Sequence, residues 1–159
     1  MLKTAAIAAA IALLTAVPAS AQQPPPAYGP PITLEAAKKA MAAAEAEATK
    51  NNWPVAIAIL DSTGHLVALQ KMDNVQYASI KIAEGKAQTA IDFRRPSKAL
   101  EDVVAGGGAG LRVLTFGNIL VQGGVPIVAD GKIIGSIGVS GVTSQQDEQI
   151  AMAGAAAAK

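Results

Sequence analysis

The sequence predicts a single domain of the α+β class with an antiparallel β-sheet. The chain has 159 residues, a typical length for one domain. Its predicted elements fall into separate runs: a helix, a β-hairpin, two helices, a second hairpin and a last helix. Strands that follow one another as hairpins pair antiparallel, so this order favours the α+β class over a doubly wound parallel sheet.

The first 21 residues have the pattern of a secretory signal peptide. Lys3 supplies the positive charge, residues 5–17 the apolar stretch, and residues 19–21 (Ala-Ser-Ala) the small-residue cleavage site. A membrane anchor is the alternative, but a spanning helix needs about 20 apolar residues, and Pro18 ends this run early. We therefore expect cleavage after Ala21 and a periplasmic or secreted product without membrane insertion.

Charge and cysteine content exclude several classes of function. The formal net charge is +1, from 13 Lys and Arg against 12 Asp and Glu, and cleavage removes Lys3, which leaves 12 of each sign. No stretch is dense in basic residues, so we expect no nucleic-acid partner. The absence of cysteine excludes disulfide scaffolds, Cys-ligated zinc, iron–sulfur clusters and thiol catalysis.

A proline-rich leader over residues 22–31 precedes the domain, which we place at residues 32–159. Proline fixes φ and lacks an N–H donor, so this segment is predicted to be extended. We interpret it as a solvated spacer. The alternative is an arm that packs on a neighbouring subunit.

The first elements of the domain are predicted to be a helix and a hairpin. Thr33 is a good N-cap, and apolar residues at three- and four-residue spacing continue to about residue 51. Strands are predicted over residues 55–60 and 66–72. The turn between them, residues 61–65, contains a glycine that is free to adopt positive φ.

Two helices and an ambiguous segment follow. A helix is predicted over residues 79–93, and Ser97 is predicted to cap a short helix that ends at the glycine-rich stretch 106–110. Residues 111–122 fit either a helix or a strand. We favour a strand over residues 119–122.

The chain ends with a second hairpin and a helix. Strands over residues 125–129 and 132–140 flank Asp130-Gly131, a strong hairpin signal. Ser144 is predicted to begin the last helix as a capping box, with Asp147 as its acidic partner.

Glycine recurs every third residue along the last predicted strand, at Gly135, Gly138 and Gly141. Glycine weakens a strand unless something approaches the backbone closely. A packed helix, a partner subunit and a ligand are all open interpretations of this pattern.

The residues that could carry chemistry are few. Ser140 lacks the second glycine of a nucleophile elbow, and the glycine-rich stretch lacks the Lys-Ser/Thr ending of a phosphate loop. His65 is the one histidine, and it could be a general base, a haem-iron ligand or a hydrogen-bonded turn residue. Arg94, Arg95 and Arg112 could bind carboxylates, including haem propionates, or could be solvated surface residues.

Several blocks of the chain resemble the HbpS/GlcG-like haem-degrading domain family. They occur in the family's order and extend the resemblance from about residue 32 to the C-terminus. The blocks are AILDSTGHLVA (58–68), KMD (71–73), KAQTA (86–90), GGVPI (123–127), GSIGVSG (135–141) and DE (147–148).

The resemblance implies a profilin-like α+β domain, with an antiparallel β-sheet flanked by α-helices, that assembles into homo-oligomers and binds haem. It leaves open whether the protein is an enzyme. The axial haem ligands that it allows are His65, Met72, Tyr77 and Thr89. With no protein-ligated metal expected, the residues that we expect to contact the cofactor are His65, Arg95, Arg112, Gly124, Gly138 and Ser140.

Three functions remain in competition. The first is a secreted haem-binding protein, with haem degradation or sensing as its associated activity. The second is a periplasmic enzyme acting on a small carboxylic acid, which Arg95 or Arg112 would bind while His65 acts as general base. The third is a non-catalytic accessory subunit that packs through its alanine-rich last helix.

Overall fold

The computed structural model describes residues 24–158, which form a four-stranded antiparallel sheet with helices on both faces. The strand order is β2-β1-β4-β3. The elements are α1 (Leu34–Lys50), β1 (Ala56–Asp61), β2 (Leu66–Lys71), α2 (Ser79–Phe93), α3 (Lys98–Ala105), a 3₁₀ helix (Gly108–Phe116), β3 (Gly124–Ala129), β4 (Lys132–Ser140) and α4 (Ser144–Ala157). The predicted α+β class is confirmed, whereas the predicted signal peptide lies outside the described residues.

Helices α1 and α4 cover one face of the sheet. Their alanines pack against the inward side chains of the two central strands, and the fully buried residues Ile57, Ile59 and Ile137 lie in this cluster. At Gly154 of α4, a Cβ would lie 2.5 Å from the Ile137 side chain. The small residues therefore bring the helices close to the sheet. No helix within residues 24–158 is long and apolar enough to cross a membrane.

Helix α2 covers the opposite face and rests on two glycines. Gly124 of β3 and Gly138 of β4 are directly paired in the sheet. A Cβ on Gly124 would lie 2.0 Å from Lys86 O, and a Cβ on Gly138 would lie 2.0 Å from Ala83 O. The helix backbone occupies the space that a ligand would need, so the prediction that Gly124 and Gly138 contact a cofactor is wrong. The packed-helix interpretation holds at these two positions.

The segment between the 3₁₀ helix and β3 is a loop, so the predicted strand over residues 119–122 is wrong. Side chains form hydrogen bonds with the backbone carbonyls that would otherwise pair with a neighbouring strand. Thr89 Oγ1 donates to Ile119 O at 2.8 Å, and Ser97 Oγ donates to Val121 O at 2.7 Å. Ser97 therefore makes no capping hydrogen bond to α3, contrary to the prediction.

Helix α4 begins at Ser144, but its N-cap lies one residue earlier than predicted. Thr143 is the N-cap, and it exchanges hydrogen bonds with Gln146 in a capping box. The predicted box between Ser144 and Asp147 is wrong. Asp147 instead accepts a hydrogen bond from Lys86 of α2. Its carboxylate therefore links α4 to α2 and is not part of the capping box of α4.

The end of the proline-rich leader is docked on the sheet. Gly29 N donates to Ile133 O at 2.8 Å, beyond the end of β1. The Tyr28 hydroxyl donates to Ile91 O at 2.7 Å, and the Arg94 guanidinium lies 5.5 Å from the centre of the Tyr28 ring. The solvated-spacer interpretation is therefore wrong for this part of the leader, which packs on its own subunit.

Candidate functional site

The turn between β1 and β2 organises His65 through Asp61. Positive φ at Gly64, +85°, lets the turn close. Asp61 Oδ1 then accepts three hydrogen bonds, from Thr63 N at 2.8 Å, from Thr63 Oγ1 at 2.6 Å and from His65 N at 3.1 Å. The Thr63 hydroxyl also lies 2.7 Å from His65 Nδ1. Asp61, Thr63 and His65 therefore form one hydrogen-bonded chain, which we call the Asp–Thr–His relay.

The relay fixes the tautomer of the imidazole. A hydroxyl has one proton, and Thr63 gives it to the Asp61 carboxylate, which is an acceptor only. Thr63 Oγ1 must then accept the proton of His65 Nδ1. In the neutral ring the lone pair is left on Nε2, which is the arrangement of a histidine that ligates a metal while its other nitrogen is held by a second shell.

The carboxylate at the base of the relay is held in its charged form. Burial raises the pKa of Asp61, but the hydrogen bonds from Thr63 and His65 outweigh this effect, so the pKa lies below its ordinary value. An ionised carboxylate cannot donate a proton back to Thr63, and the direction of the relay is therefore set at neutral pH.

An exposed apolar surface lies beside His65. Leu66 is paired with Leu60, and Leu69 is paired with Ala58. Because paired residues point to the same side of a sheet, both leucines face the α2 side. They lie beyond the helix on the outer strand of the sheet and are 47% and 42% exposed. The imidazole is exposed as well.

Neither predicted arginine touches the relay. Arg95 and Arg112 are exposed, and Arg95 Nε donates to Phe93 O at 3.1 Å, just beyond the end of α2. Within residues 24–158 neither guanidinium forms an ion pair. Both remain available to an external carboxylate.

The other predicted axial ligands differ from His65 in their surroundings. Thr89 is fully buried, and its hydroxyl lies between the carbonyls of Gly85 and Ile119, to which it is hydrogen-bonded, so it presents no exposed oxygen to a haem iron. That prediction is wrong. Met72 packs against the α1-side core, and Tyr77 is 91% exposed.

Ser140 lies at the opposite end of the sheet from His65. It is paired with Ala56, the first residue of β1, whereas Asp61 is the last residue of that strand. Five residues of strand correspond to about 17 Å. The structure therefore separates Ser140 from the relay.

A buried ion pair lies near Ser140 and was missed from the sequence. Lys86 Nζ lies 2.8 Å from Asp147 Oδ2, and both side chains are at most 3% exposed. Burial raises the pKa of Asp147, and its hydrogen bond with Lys86 opposes the rise only in part. One signal was available: Lys86 falls at helical spacing from Ala83 and Ala90, on the apolar face of α2.

Fold and site together define a small α+β domain that presents one oriented imidazole on a hairpin turn. The chain belongs to the HbpS-like family, since the model of that family, described as haem degrading protein HbpS-like, matches residues 32–156. It is similar to Protein GlcG of Escherichia coli strain K12, with 43% identity over 109 residues, which is 69% of this chain and 81% of GlcG. The family resemblance predicted from the sequence is confirmed.

Two solved structures share the fold. A double mutant of HbpS from Streptomyces reticuli is 33% identical with a TM-score of 0.73, covering 89% of this chain and 96% of that one. The complex of PduOC with haem is 29% identical with a TM-score of 0.73, covering 80% of this chain and 94% of that one.

Proposed function

We propose that this protein is an exported haem-binding protein in which His65 Nε2 is the axial ligand of the haem iron. The observation that carries the proposal is the Asp–Thr–His relay, which leaves the lone pair of the imidazole on an exposed nitrogen. The family description and the haem complex of the related PduOC support the choice of haem.

The exposed residues beside His65, together with exposed arginines elsewhere on the surface, fit a planar apolar group with acidic side chains. Leu66 and Leu69 offer exposed apolar surface on the neighbouring strand, which would contact the macrocycle. Exposed guanidinium groups at Arg95 and Arg112 suit the propionates. Bound haem would supply an iron atom that can change its oxidation state. The protein's own contribution is to orient His65 Nε2 and to hold His65 Nδ1 in a hydrogen bond with Thr63.

A haem titration followed through the Soret band tests the axial ligand. We expect wild-type protein to shift the band, and His65→Ala to lose the histidine-ligated spectrum. Thr63→Val keeps the shape of the turn but breaks the relay, and we expect it to weaken haem binding about tenfold, as second-shell changes do. An unshifted band in the wild type, or a His65→Ala spectrum identical to wild type, would refute the proposal.

Matched controls separate ligation from folding. Thr115 is another exposed threonine, whose hydroxyl donates to Arg112 O at 2.8 Å, outside the relay. Thr115→Val should bind haem like the wild type. Tyr77→Phe and Met72→Leu remove the alternative ligands, and neither should alter the spectrum if His65 holds the iron.

The pattern of the first 21 residues supports the proposal of export. We propose that the mature chain begins at Gln22 in the periplasm or outside the cell. Mass spectrometry of protein expressed from the full-length gene checks this. A fractionated sample that retains Met1 to Ala21 would contradict it.

We further propose that the protein is a homo-oligomer. Three large apolar side chains of the 3₁₀ helix, Leu111, Leu114 and Phe116, are each about half exposed, and a second copy would cover them. Light scattering should give a mass above that of one subunit. Leu111→Ser with Leu114→Ser should lower it, whereas Met152→Ser, which changes an exposed residue of α4, should not. A monomeric wild type would contradict the proposal.

A further inference from the structure

A second cleft lies at the end of the sheet remote from His65. It has a volume of about 380 Å³ and opens where the first residues of α2 and α4 meet the end of β4. Its buried polar side chains are those of Ser79, Ser140 and the Lys86–Asp147 pair, and Gln76 and Ser144 also line it. Ile82, Ile119 and Val121 contribute apolar wall.

Two buried hydroxyls in this cleft have no partner in the described part of the chain. Ser79 is 2% exposed and Ser140 is 6% exposed, yet neither Oγ forms a hydrogen bond with another of residues 24–158. Every fully enclosed side-chain N or O atom in that range does have a partner. The two hydroxyls therefore open onto the cleft. Because both hydroxyls reach the cleft and are unpaired within residues 24–158, they are available to hydrogen-bond a ligand there.

The charges around the hydroxyls favour an anion. Lys86 Nζ has three protons and gives one to Asp147, its single hydrogen-bond partner among residues 24–158. Helix α2 has no acidic residue in its first turn and no side-chain cap. The positive end of its dipole is therefore not neutralised by a side chain of its own first turn. The Asp147 carboxylate is already engaged by Lys86 and by Val142 N.

The walls and the volume restrict what the anion can be. Isoleucine and valine side chains suit a short hydrocarbon body rather than a fully hydrated ion. The cleft is open to solvent, and its volume of about 380 Å³ leaves room for a small organic acid.

We propose that this cleft binds a small monocarboxylic acid. The carboxylate accepts hydrogen bonds from Ser79 Oγ, Ser140 Oγ and a free Lys86 N–H, and the hydrocarbon part packs on Ile82 and Ile119. The site uses neither His65 nor the exposed arginines, and about 17 Å of strand separates it from the relay. It is therefore independent of haem.

Binding of butyrate to the purified protein, followed by NMR chemical-shift changes and calorimetry, tests the site. The variant carrying Ser79→Ala and Ser140→Ala should bind butyrate about a hundredfold more weakly, at about tenfold per hydrogen bond to the charged group. Neither hydroxyl has an internal partner, so the double variant should unfold at the same urea concentration as the wild type. Ser62→Ala, in the His65 turn, is the matched control and should bind butyrate normally.

Other outcomes decide against the proposal. No binding of butyrate by the wild type at millimolar concentration overturns it, and so does unchanged affinity in the double variant. Inorganic phosphate that binds as tightly as butyrate would show that the site has no preference for a hydrocarbon body, which overturns the assignment to carboxylic acids. His65→Ala should bind butyrate like the wild type, so failure of the haem proposal is distinguishable from failure of this one.

Discussion

Replacing Gly138 by alanine tests how closely α2 lies on the sheet. The added Cβ would lie 2.0 Å from Ala83 O and 2.5 Å from Ala87 N, whereas real Cβ atoms essentially never approach within 3.0 Å. The helix must therefore retreat by about 1 Å, and the neighbour is backbone, which cannot rotate away. A gap of that size forfeits a quarter to a half of each dispersion contact that it opens.

The magnitude follows from the extent of that interface. Ala83 and Ala87 of α2 are fully buried against the strands, and overpacking of such a core costs about 1–3 kcal/mol. Because the clash is with backbone, we expect the upper end, about 3 kcal/mol. Alanine also has less conformational freedom than glycine in the unfolded chain, and this difference stabilises the folded variant by about 0.4–1 kcal/mol. The expected net loss in the free energy of unfolding is about 2–2.6 kcal/mol.

Urea denaturation followed by circular dichroism measures this loss, which should lower the midpoint by about 1–2 M at an ordinary m-value. Gly106→Ala is the matched control, because its Cβ would make ordinary contacts at 3.5 Å and φ there is −68°. That variant should equal or slightly exceed the wild type in stability. A Gly138→Ala protein within about 0.5 kcal/mol of the wild type would refute the packing argument.

Three other perturbations have defined outcomes. Lys86→Met leaves Asp147 buried without its partner and should cost about 3–5 kcal/mol in urea denaturation, and adding Asp147→Leu should recover most of it; a double variant no better than the single one contradicts this. Asp61→Asn should be less stable than the wild type at pH 6, because the lowered pKa of Asp61 contributes stability above its unfolded value of 3.8. That contribution is lost as the pH falls through the folded pKa, so a difference that persists undiminished at pH 2 contradicts it. Tyr28→Phe removes the hydrogen bond to Ile91 and should cost about 1 kcal/mol and speed proteolysis of the leader; unchanged proteolysis would contradict the docking.

The helices and hairpins could be predicted because local sequence decides them. Thr33 caps α1 as expected, and its side chain accepts from Ala36 N. The Asp130-Gly131 turn has positive φ at both residues, which is what the sequence signal requires. The ends of the four predicted hairpin strands lie within one residue of the observed ones.

The failures have one physical cause, which is competition from distant partners. Ser97 precedes a helix, but its hydroxyl is used by Val121 O and by Gly124 N, 27 residues away. The apolar residues before Gln122 suggested a strand, yet side chains of α2 and α3 satisfy that backbone, and Glu101 accepts from Gln122 N. Local patterns cannot show which of two possible partners a polar group will choose.

The site was predictable only in part for the same reason. His65 stood out because it is the single imidazole, and the Asp61 turn around it is a local motif. The Lys86–Asp147 pair joins residues 61 positions apart, so neither charge indicated the other. Glycine spacing alone could not distinguish a helix from a ligand at Gly138.

The pairing of β1 with β4 also determines when the protein can acquire its structure. The central strands of the sheet come from opposite ends of the domain, and the leader docks on the last strand to be synthesised. Until β4 has been made, β1 can pair only with β2, and β3 has no strand to pair with. Non-local strand pairing of this kind slows folding. A newly made chain therefore cannot close its sheet until the last strand has been synthesised.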